Sequence, residues 1–289
     1  MSLSQPRPNP GPKANPKPTR NPKPGTVLIT GASSGIGAAT ADRLVGAGHR
    51  VFGTSRGCRV PRDPQSGFQS IQMDVCKEDS VENAIAEVLR QCETLDALVC
   101  NAGVGIFGSI EETSIEDAQV QFDTNYFGVL RTLRAVIPHM RGLGRGRIVL
   151  VGSLAGRAPI PFQGHYSASK AAVDATALAL RNELHGSGVH VSLVEPGDIN
   201  TAFNDATDFG ETGASAYAER IRSCRRVIEE SLPVAPGPEV VAATIQKALD
   251  ARRPRARYTV GPDSWLVPFG RRFLPDSLML RLLRSHFQI

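Results

Sequence analysis

Tyr166 and Lys170 are the residues in this sequence whose types and spacing could most directly carry chemistry. They stand four positions apart in a run without proline or glycine, so on a helix both side chains would share one face. A phenol titrates near pH ~10, which makes it a poor acid or base at neutral pH, whereas a nearby ammonium favours the phenolate. The pair predicts a tyrosine used for proton transfer. A chance pairing on an ordinary helix is the alternative.

A glycine-rich turn between a strand and a helix precedes this pair. The apolar, β-branched run 26–30 predicts a strand, and 38–47 predicts a helix. Strand, turn and helix in this order set backbone N–H groups and the positive end of a helix against a diphosphate. The turn residues predicted to bind a cofactor are Gly31, Ser33, Ser34, Gly35, Ile36 and Gly37.

The end of the second predicted strand, 50–54, bears on the choice of cofactor. A carboxylate is expected there when the ribose carries a free 2′-hydroxyl, but Ser55 and Arg56 follow this strand. A hydroxyl and a guanidinium suit a 2′-phosphate, which favours NADP over NAD, and a solvated loop arginine is the alternative. After the third predicted strand, 67–73, Asp74 could accept from an adenine amino group or cap the next helix, and Val75 follows it.

Strands and helices alternate along the rest of the sequence. Helices are predicted at 80–91, 114–140 and 166–185, and strands at 95–100, 146–151 and 189–194. This alternation predicts an α/β fold: a Rossmann-like, doubly wound parallel sheet in a single domain, 25–262. Right-handed crossovers place the residues that follow the strands along one edge. These residues include Asn101, Ala102, Gly103, Ser153, Pro196 and Gly197.

With these motifs in hand, the chain resembles the short-chain dehydrogenase/reductase family over about 26–261. In the family's order the motifs are Thr30-Gly-x-x-x-Gly-Ile-Gly37, Asn101-Ala-Gly103, Asn125, Ser153, Tyr166-x-x-x-Lys170 and Pro196-Gly197 followed by Thr201. The resemblance implies that Tyr166 transfers a proton and that Ser153 hydrogen-bonds the substrate oxygen. Lys170 would bind the nicotinamide ribose and lower the pKa of Tyr166. Asn125 would hold a relay water, and Ile199 and Thr201 would contact the cofactor.

The resemblance implies an NADP-preferring oxidoreductase that interconverts an alcohol and its ketone or aldehyde. Hydride transfer to a carbonyl creates negative charge on oxygen, which a serine hydroxyl and a tyrosine proton stabilise. No metal is expected, because the histidines are scattered. The alternative is a non-catalytic NADP-binding scaffold or sensor, which would have no need of an intact Ser153, Tyr166 and Lys170.

Apolar residues near the expected active edge favour a lipophilic substrate over a charged metabolite. They are Val104, Ile106, Phe107, Ile160, Phe162 and Phe203. The segment 198–238 is longer than a connection between strand and helix needs and is predicted to act as a lid. A helix is predicted at 216–232, either laid over the apolar cleft or as an ordinary surface helix. The C-terminal segment is similar to the retinol and 17β-hydroxysteroid dehydrogenase branch of the family, which implies a steroid- or retinoid-like substrate.

The two ends of the chain differ from its centre in composition. The first 25 residues hold five lysines and arginines and no acid, which equals the formal net charge of +5 of the whole chain. Residues 1–24 are predicted to be a disordered tail, and no nucleic-acid partner is expected of the near-neutral remainder. The extension 263–289 is apolar and basic; packing on the pocket or between subunits is favoured over a membrane surface.

Length and composition agree with a cytoplasmic enzyme. No apolar run in the 289 residues approaches the ~20 that a membrane-spanning helix needs, and the N-terminus lacks the apolar core of a secretory signal. The five cysteines form no C-x-x-C pair, which argues against a zinc site and a disulfide framework. Peripheral membrane contact through the C-terminal segment is the alternative, and the family resemblance implies a homodimer or homotetramer.

Overall fold

A parallel β-sheet of seven strands organises the computed structural model, which describes residues 25–57, 67–201, 216–262 and 264–289. The strands are β1 (Thr26–Thr30), β2 (Arg50–Ser55), β3 (Gln69–Gln72), β4 (Ala97–Cys100), β5 (Gly146–Val151), β6 (Val189–Pro196) and β7 (Arg257–Val260). Their order is β3-β2-β1-β4-β5-β6-β7, and every neighbouring pair is parallel. The predicted doubly wound α/β fold is confirmed.

Helices cover both faces of the sheet. They are α1 (Gly35–Gly46), α2 (Glu78–Gln91), α3 (Ile115–Phe122), α4 (Gly128–Gly142), α5 (Gly164–Glu183), α6 (Ala218–Ser231), α7 (Glu239–Asp250), α8 (Leu266–Phe273) and α9 (Asp276–Phe287). Leu28 packs in the apolar layer under α2, α4 and α5, whereas Val27 and Ile29 pack in the layer under α1 and α7. Because both faces are buried, the strands read as continuous apolar runs rather than alternating ones.

The region predicted as one helix over 114–140 is divided in three. After α3, the chain forms a π-helical turn over Asp123–Phe127, in which the Gly128 N–H donates to the Asp123 carbonyl, and α4 follows. Asn125 lies in this turn and is 1% exposed. Single π turns inside helices occur often at functional sites. Apolar periodicity could not reveal the turn, because one extra residue hardly disturbs the pattern on either side.

Helices α6 and α9 form a third apolar cluster together with residues from the loops after β4 and β5. Its buried members are Phe107, Ile221, Cys224 and Phe287. None of the helices among the described residues is long and apolar enough to cross a bilayer. The predicted N-terminal tail, most of the first half of the predicted lid and Phe203 lie outside the described residues. The domain boundary at 262 stays a prediction.

Candidate active site

A cleft of about 380 Å³ runs along the carboxyl ends of β1 to β6. The structure brings nearly all of the predicted site residues to this cleft. They are Gly31, Ser33, Ser34, Gly35, Ile36, Ser55, Arg56, Asp74, Val75, Asn101, Ala102, Gly103, Ser153, Tyr166, Lys170, Pro196, Gly197, Ile199 and Thr201. Gly37 and Asn125 lie behind its wall. This gathering follows from parallel strands, whose carboxyl ends meet at one edge.

The glycine-rich turn forms one end of the cleft. Gly31 has φ +69°, and a Cβ there would lie 2.8 Å from the Ala102 Cα. A Cβ on Gly37 would lie 2.1 Å from the Gly31 carbonyl oxygen, so only glycine fits where the helix passes the strand. Ser34 makes no side-chain capping bond at the start of α1, and the first turn has no acid. The helix N-terminus therefore presents donors to the cleft, as a diphosphate site requires.

Thr30 and Asn101 hold this turn against the end of β4. The Thr30 Oγ1 accepts from the backbone N–H groups of Asn101 and Ala102, at 2.9 and 3.0 Å. The Asn101 Nδ2 donates to the carbonyls of Thr30 and Gly31, at 3.1 and 3.0 Å. Sequence reasoning gave Thr30 no site role of its own. Its position as the last residue of a buried strand, directly before the first glycine, is the signal that could have identified it.

Ser153, Tyr166 and Lys170 meet at the centre of the cleft. Ser153 follows β5 and hydrogen-bonds the Tyr166 side chain, while the Ser153 Oγ accepts from the Ala155 N–H at 3.1 Å. Lys170 stands one helical turn beyond Tyr166 on α5, with Nζ 5.8 Å from the phenol ring centroid. The Lys170 Nζ donates to the Val151 carbonyl at 3.1 Å. The serine hydroxyl, the phenol and the ammonium thus share one space.

Burial has the largest effect on the pKa values of Tyr166 and Lys170. Loss of hydration raises the pKa of the half-buried Tyr166 phenol, and its hydrogen bond with Ser153 acts in the opposite direction. Lys170 is 6% exposed, and burial lowers the pKa of its ammonium to about 8. The expectation of a lowered tyrosine pKa is therefore not met by these residues alone. The Lys170 ammonium lies 5.8 Å from the phenol ring centroid and donates to the Val151 carbonyl. At this position its charge does not outweigh the effect of burial on the pKa of Tyr166.

Asn125 supports the site from behind. Its Oδ1 accepts from the Val104 N–H at 2.8 Å, and its Nδ2 donates to the Val104 carbonyl and the Ser169 Oγ, at 3.0 and 3.1 Å. Ser169 in turn donates to the Tyr166 carbonyl at 2.7 Å. The amide group of Asn125 thus ties the π-helical turn to the loop after β4 and to the catalytic helix α5. Its predicted role in a water relay stays a prediction.

Arg56 and Asp74 stand at the far end of the cleft from Tyr166. Arg56 is exposed, and its carbonyl accepts from the Gln72 Nε2 at 3.1 Å. The Asp74 Oδ1 accepts from the Cys76 N–H at 3.1 Å, which closes a short turn, and Lys77 lies 4.0 Å from the other carboxylate oxygen. Asp74 thus caps a turn rather than α2, which begins at Glu78. Its second predicted role, toward adenine, stays a prediction.

The other half of the cleft is lined mainly by apolar side chains. Val104 and Ile160 come from the loops after β4 and β5, and Ile228 and Leu232 come from the end of α6 and the turn after it. The charged residues among the described lining are Arg56, Asp74, Lys170 and Asp198. Phe107, predicted beside the substrate, is instead 1% exposed within the third apolar cluster.

A strained residue shapes the loop between Ser153 and Tyr166. Phe162 has φ +61°, a left-handed conformation that costs a non-glycine residue about 1 to 3 kcal/mol. Its carbonyl accepts from the Gly108 N–H at 2.8 Å, and its ring packs against Phe107 and Tyr217. The following residue, Gln163, lines the cleft. Sequence reasoning missed Gln163, because nothing in the sequence shows how the loop turns.

Comparison with known proteins identifies the family. The model of the short chain dehydrogenase family matches residues 25–211, and the chain belongs to the short-chain dehydrogenase/reductase family. It is 38% identical over 266 residues to 3-ketodihydrosphingosine reductase of Bacteroides thetaiotaomicron, over 91% of this chain and 98% of that protein. It is 34% identical over 253 residues to estradiol 17-beta-dehydrogenase 1 of Rattus norvegicus, over 80% and 72% of the two chains.

Solved structures share the fold. A short-chain dehydrogenase from Streptomyces avermitilis superposes with a TM-score of 0.78 at 32% identity, over 90% of this chain and 94% of that one. The closed form of serine dehydrogenase, complexed with NADP+, gives a TM-score of 0.70 at 30% identity, over 82% and 94%. The predicted family, including its likeness to 17β-hydroxysteroid dehydrogenases, is confirmed. The chain is an oxidoreductase that acts on CH–OH groups.

Proposed function

We propose that the protein is an NADP(H)-dependent reductase or dehydrogenase of lipophilic alcohols and their ketones or aldehydes. The observation that carries this proposal is the meeting of Ser153, Tyr166 and Lys170 at the centre of one cleft, with the Ser153 hydroxyl bonded to the phenol. A glycine-rich turn built for a diphosphate closes one end of this cleft, and apolar side chains line the other. The chain therefore offers a place for the cofactor and a separate place for the substrate.

Tyr166 acts as the acid in the reductive direction. When bound, the reduced nicotinamide supplies a hydride to the carbonyl carbon. The Tyr166 hydroxyl then gives its proton to the carbonyl oxygen, and the Ser153 hydroxyl donates a hydrogen bond to the same oxygen. Because burial raises the pKa of Tyr166, the phenol is protonated at neutral pH, as reduction requires. Oxidation needs the tyrosinate, which the positive charge of Lys170 favours.

Arg56 is the residue we assign to the cofactor's 2′-phosphate. It lines the cleft directly after β2, where the ribose that carries this phosphate would lie, and Ser55 precedes it. A guanidinium can donate two parallel hydrogen bonds to a phosphate, and the described residues at the end of β2, 55–57, include no carboxylate to repel it. NADP is therefore proposed over NAD.

The apolar half of the cleft supports a bulky, lipophilic substrate. Val104, Ile160, Ile228 and Leu232 provide apolar surface, and Gln163 adds a polar group that could orient a hydroxyl or carbonyl. The names of two relatives, a ketodihydrosphingosine reductase and an estradiol dehydrogenase, agree with this substrate class. A steroid-like alcohol and a long-chain ketone are both included in the proposal.

The test is consumption of NADPH against a panel of bulky apolar ketones and aldehydes. Tyr166→Phe should lower turnover by at least ~100-fold, because the proton donor is lost, while cofactor affinity is unchanged because the ring remains. Tyr126→Phe is the matched control, since Tyr126 packs against Phe122 and Phe127 away from the cleft. Normal turnover in Tyr166→Phe would contradict the mechanism. Tight NADPH binding without turnover of any panel member would favour a scaffold or sensor instead.

A further inference from the structure

The C-terminal helices expose an unusual amount of apolar surface. Thirteen large apolar side chains are exposed among the described residues, and seven of them lie between 265 and 282. We name these seven the C-terminal patch: Trp265, Leu266, Phe269, Phe273, Leu278, Leu280 and Leu282. Trp265 is 69% exposed and Phe273 is 62% exposed. Isolated surface leucines are ordinary, but seven large exposed apolar side chains concentrated in positions 265–282 mark an interaction surface.

The spacing within α8 shows that the residues of the patch on this helix form one face. Positions 266, 269 and 273 recur at three and four residues, so these side chains form a stripe along the helix. Within the stripe, the rings of Phe269 and Phe273 lie 4.8 Å apart, and the Arg272 guanidinium lies 5.8 Å from the Phe273 ring centroid. A basic group thus borders the aromatic stripe.

Helix α9 is anchored to the body of the protein, and α8 packs on α9. Met279 and Phe287 of α9 are buried, and Phe287 packs with Ile221 and Cys224 of α6. A Cβ on Gly270 would lie 2.9 Å from the Met279 Sδ, so α8 and α9 are in close contact. Helix α9 therefore already has a buried apolar side, whereas the side chains of the patch remain exposed.

The charge of the C-terminal helices indicates which kind of partner could cover the patch. The described helices α8 and α9 carry Arg271, Arg272, Arg281 and Arg284 but one acid, Asp276, which pairs with Arg271 at 2.6 Å. In a two-fold dimer the patch would meet its own copy, which would bring like charges together. An anionic surface instead neutralises the arginines while the apolar side chains leave water.

We propose that the C-terminal patch docks on the surface of a bilayer that contains anionic lipids. Aromatic and leucine side chains beside arginines are the composition of helices that lie in the membrane interface. The arginines would reach the headgroups while the rings enter the acyl boundary. Because α6 packs on α9 and lines the cleft through Ile228, docking would hold this side of the cleft close to the lipid.

The fluorescence of Trp265 tests this docking directly. Trp265 is the single tryptophan of the chain, so its emission reports on the patch and not on the basic N-terminal residues. Full-length protein is titrated with phosphatidylcholine vesicles and with vesicles that also contain phosphatidylglycerol. We expect a blue shift and protection from acrylamide with the anionic vesicles, reversed by high salt. Phe269→Ser combined with Phe273→Ser should weaken partitioning by about tenfold or more.

Matched variants separate the contribution of the neighbouring arginines from that of the apolar side chains of the patch. Arg272→Gln and Arg281→Gln should weaken binding to anionic vesicles by about fivefold each. Ile115→Ser combined with Val120→Ser, which alters two equally exposed apolar residues on α3, should leave binding unchanged. An unshifted Trp265 emission on anionic vesicles would overturn the proposal. So would a patch variant that binds vesicles normally but changes oligomeric state, since the patch would then be a subunit interface.

These measurements are independent of the proposed reaction. Vesicle binding is read from fluorescence without cofactor or substrate, so it can succeed even if no panel substrate is turned over. Turnover of a water-soluble ketone should be equal in the wild type and the patch variants, because the patch lies outside the cleft lining. Loss of that turnover together with vesicle binding would indicate general damage to the fold, and docking would then not be supported.

Discussion

The buried ammonium of Lys170 has an energetic consequence beyond the active site. Its side chain is 6% exposed, and its Nζ donates to the Val151 carbonyl. Burial lowers the pKa of the ammonium from 10.5 to about 8 because the charged form loses hydration. The shift corresponds to about 3 kcal/mol of lost stability while the amine is charged in the folded protein. The protein tolerates this loss at the position where its chemistry needs a cation.

The stability of the protein should therefore depend on pH in a predictable direction. Between pH 8 and 10.5 the unfolded state binds more protons at Lys170 than the folded state does, so the free energy of unfolding rises with pH. In Lys170→Met this contribution is absent. We expect the wild type to gain up to ~3 kcal/mol relative to Lys170→Met across this window, measured by urea denaturation. If the free energies of unfolding of the two proteins changed in parallel with pH, the burial of a charged lysine would be contradicted.

Arg56 is the residue whose replacement should change cofactor preference. Arg56→Asp removes the proposed phosphate contact and adds a repulsive charge, so we expect the KM for NADPH to rise by ~10- to 100-fold. The carboxylate can also accept from a free 2′-hydroxyl, which should make NADH the better cofactor. Arg50→Gln is the control, because Arg50 lies at the other end of β2 and bonds to Gln69 and Gln91. Unchanged selectivity would place the phosphate contact elsewhere.

At the scale of elements, the sequence predicts what periodicity and glycine spacing encode. The strands, the glycine-rich turn and the arrival of Ser153 and Tyr166 at one edge all follow from local patterns and from crossover handedness. The π-helical turn at Asn125 does not, because it depends on how α3 and α4 meet the loop after β4. The strained Phe162 is also invisible in sequence, since its conformation is imposed by packing against Phe107 and Tyr217.

A buried ion-pair network is another element-scale feature that no local pattern shows. Glu195 at the end of β6 is 1% exposed, and its two carboxylate oxygens each accept from Arg157 at 2.6 Å. Arg257 of β7 also donates to Glu195, at 3.0 Å, and pairs with Asp174 of α5. The network thus joins the loop after Ser153, two strands and the catalytic helix. It spans about 100 positions of sequence, which is why spacing rules cannot find it.

Removal of Arg157 should destabilise the protein strongly. In Arg157→Met the Glu195 carboxylate remains buried with one partner fewer, and breaking a buried pair in this way costs about 3 to 5 kcal/mol. Arg145→Met is the matched control, because the Arg145 side chain is 61% exposed and Asp96 keeps its hydrogen bonds from Thr26 and Thr94, so the loss should be about 0 to 1 kcal/mol. Chemical denaturation measures both. Similar small losses in the two variants would show that the buried network adds little to stability.

At the scale of the whole molecule, helix α5 suggests how copies assemble. Its inner face is buried through Val173 and Ala177, whereas Ala168, Ala175 and Ala179 are exposed along its outer face. Their spacing of seven and four residues places them on one side of the helix. Side chains this small would let a second helix approach closely. The family resemblance implies subunit contacts through the helical regions that contain Asn125 and Tyr166, and we propose contacts through α5 on that ground.

Arginine on this outer face should therefore prevent assembly. In Ala175→Arg combined with Ala179→Arg, a two-fold interface would contain each bulky cation twice, and like charges would oppose closure. We expect sedimentation velocity to report a monomer for this variant and a dimer or tetramer for the wild type. Ala86→Arg, which changes an exposed alanine of α2, is the control and should leave the assembly intact. If the α5 variant sediments as the wild type does, the subunits meet through another surface, and the outer face of α5 is simply solvated.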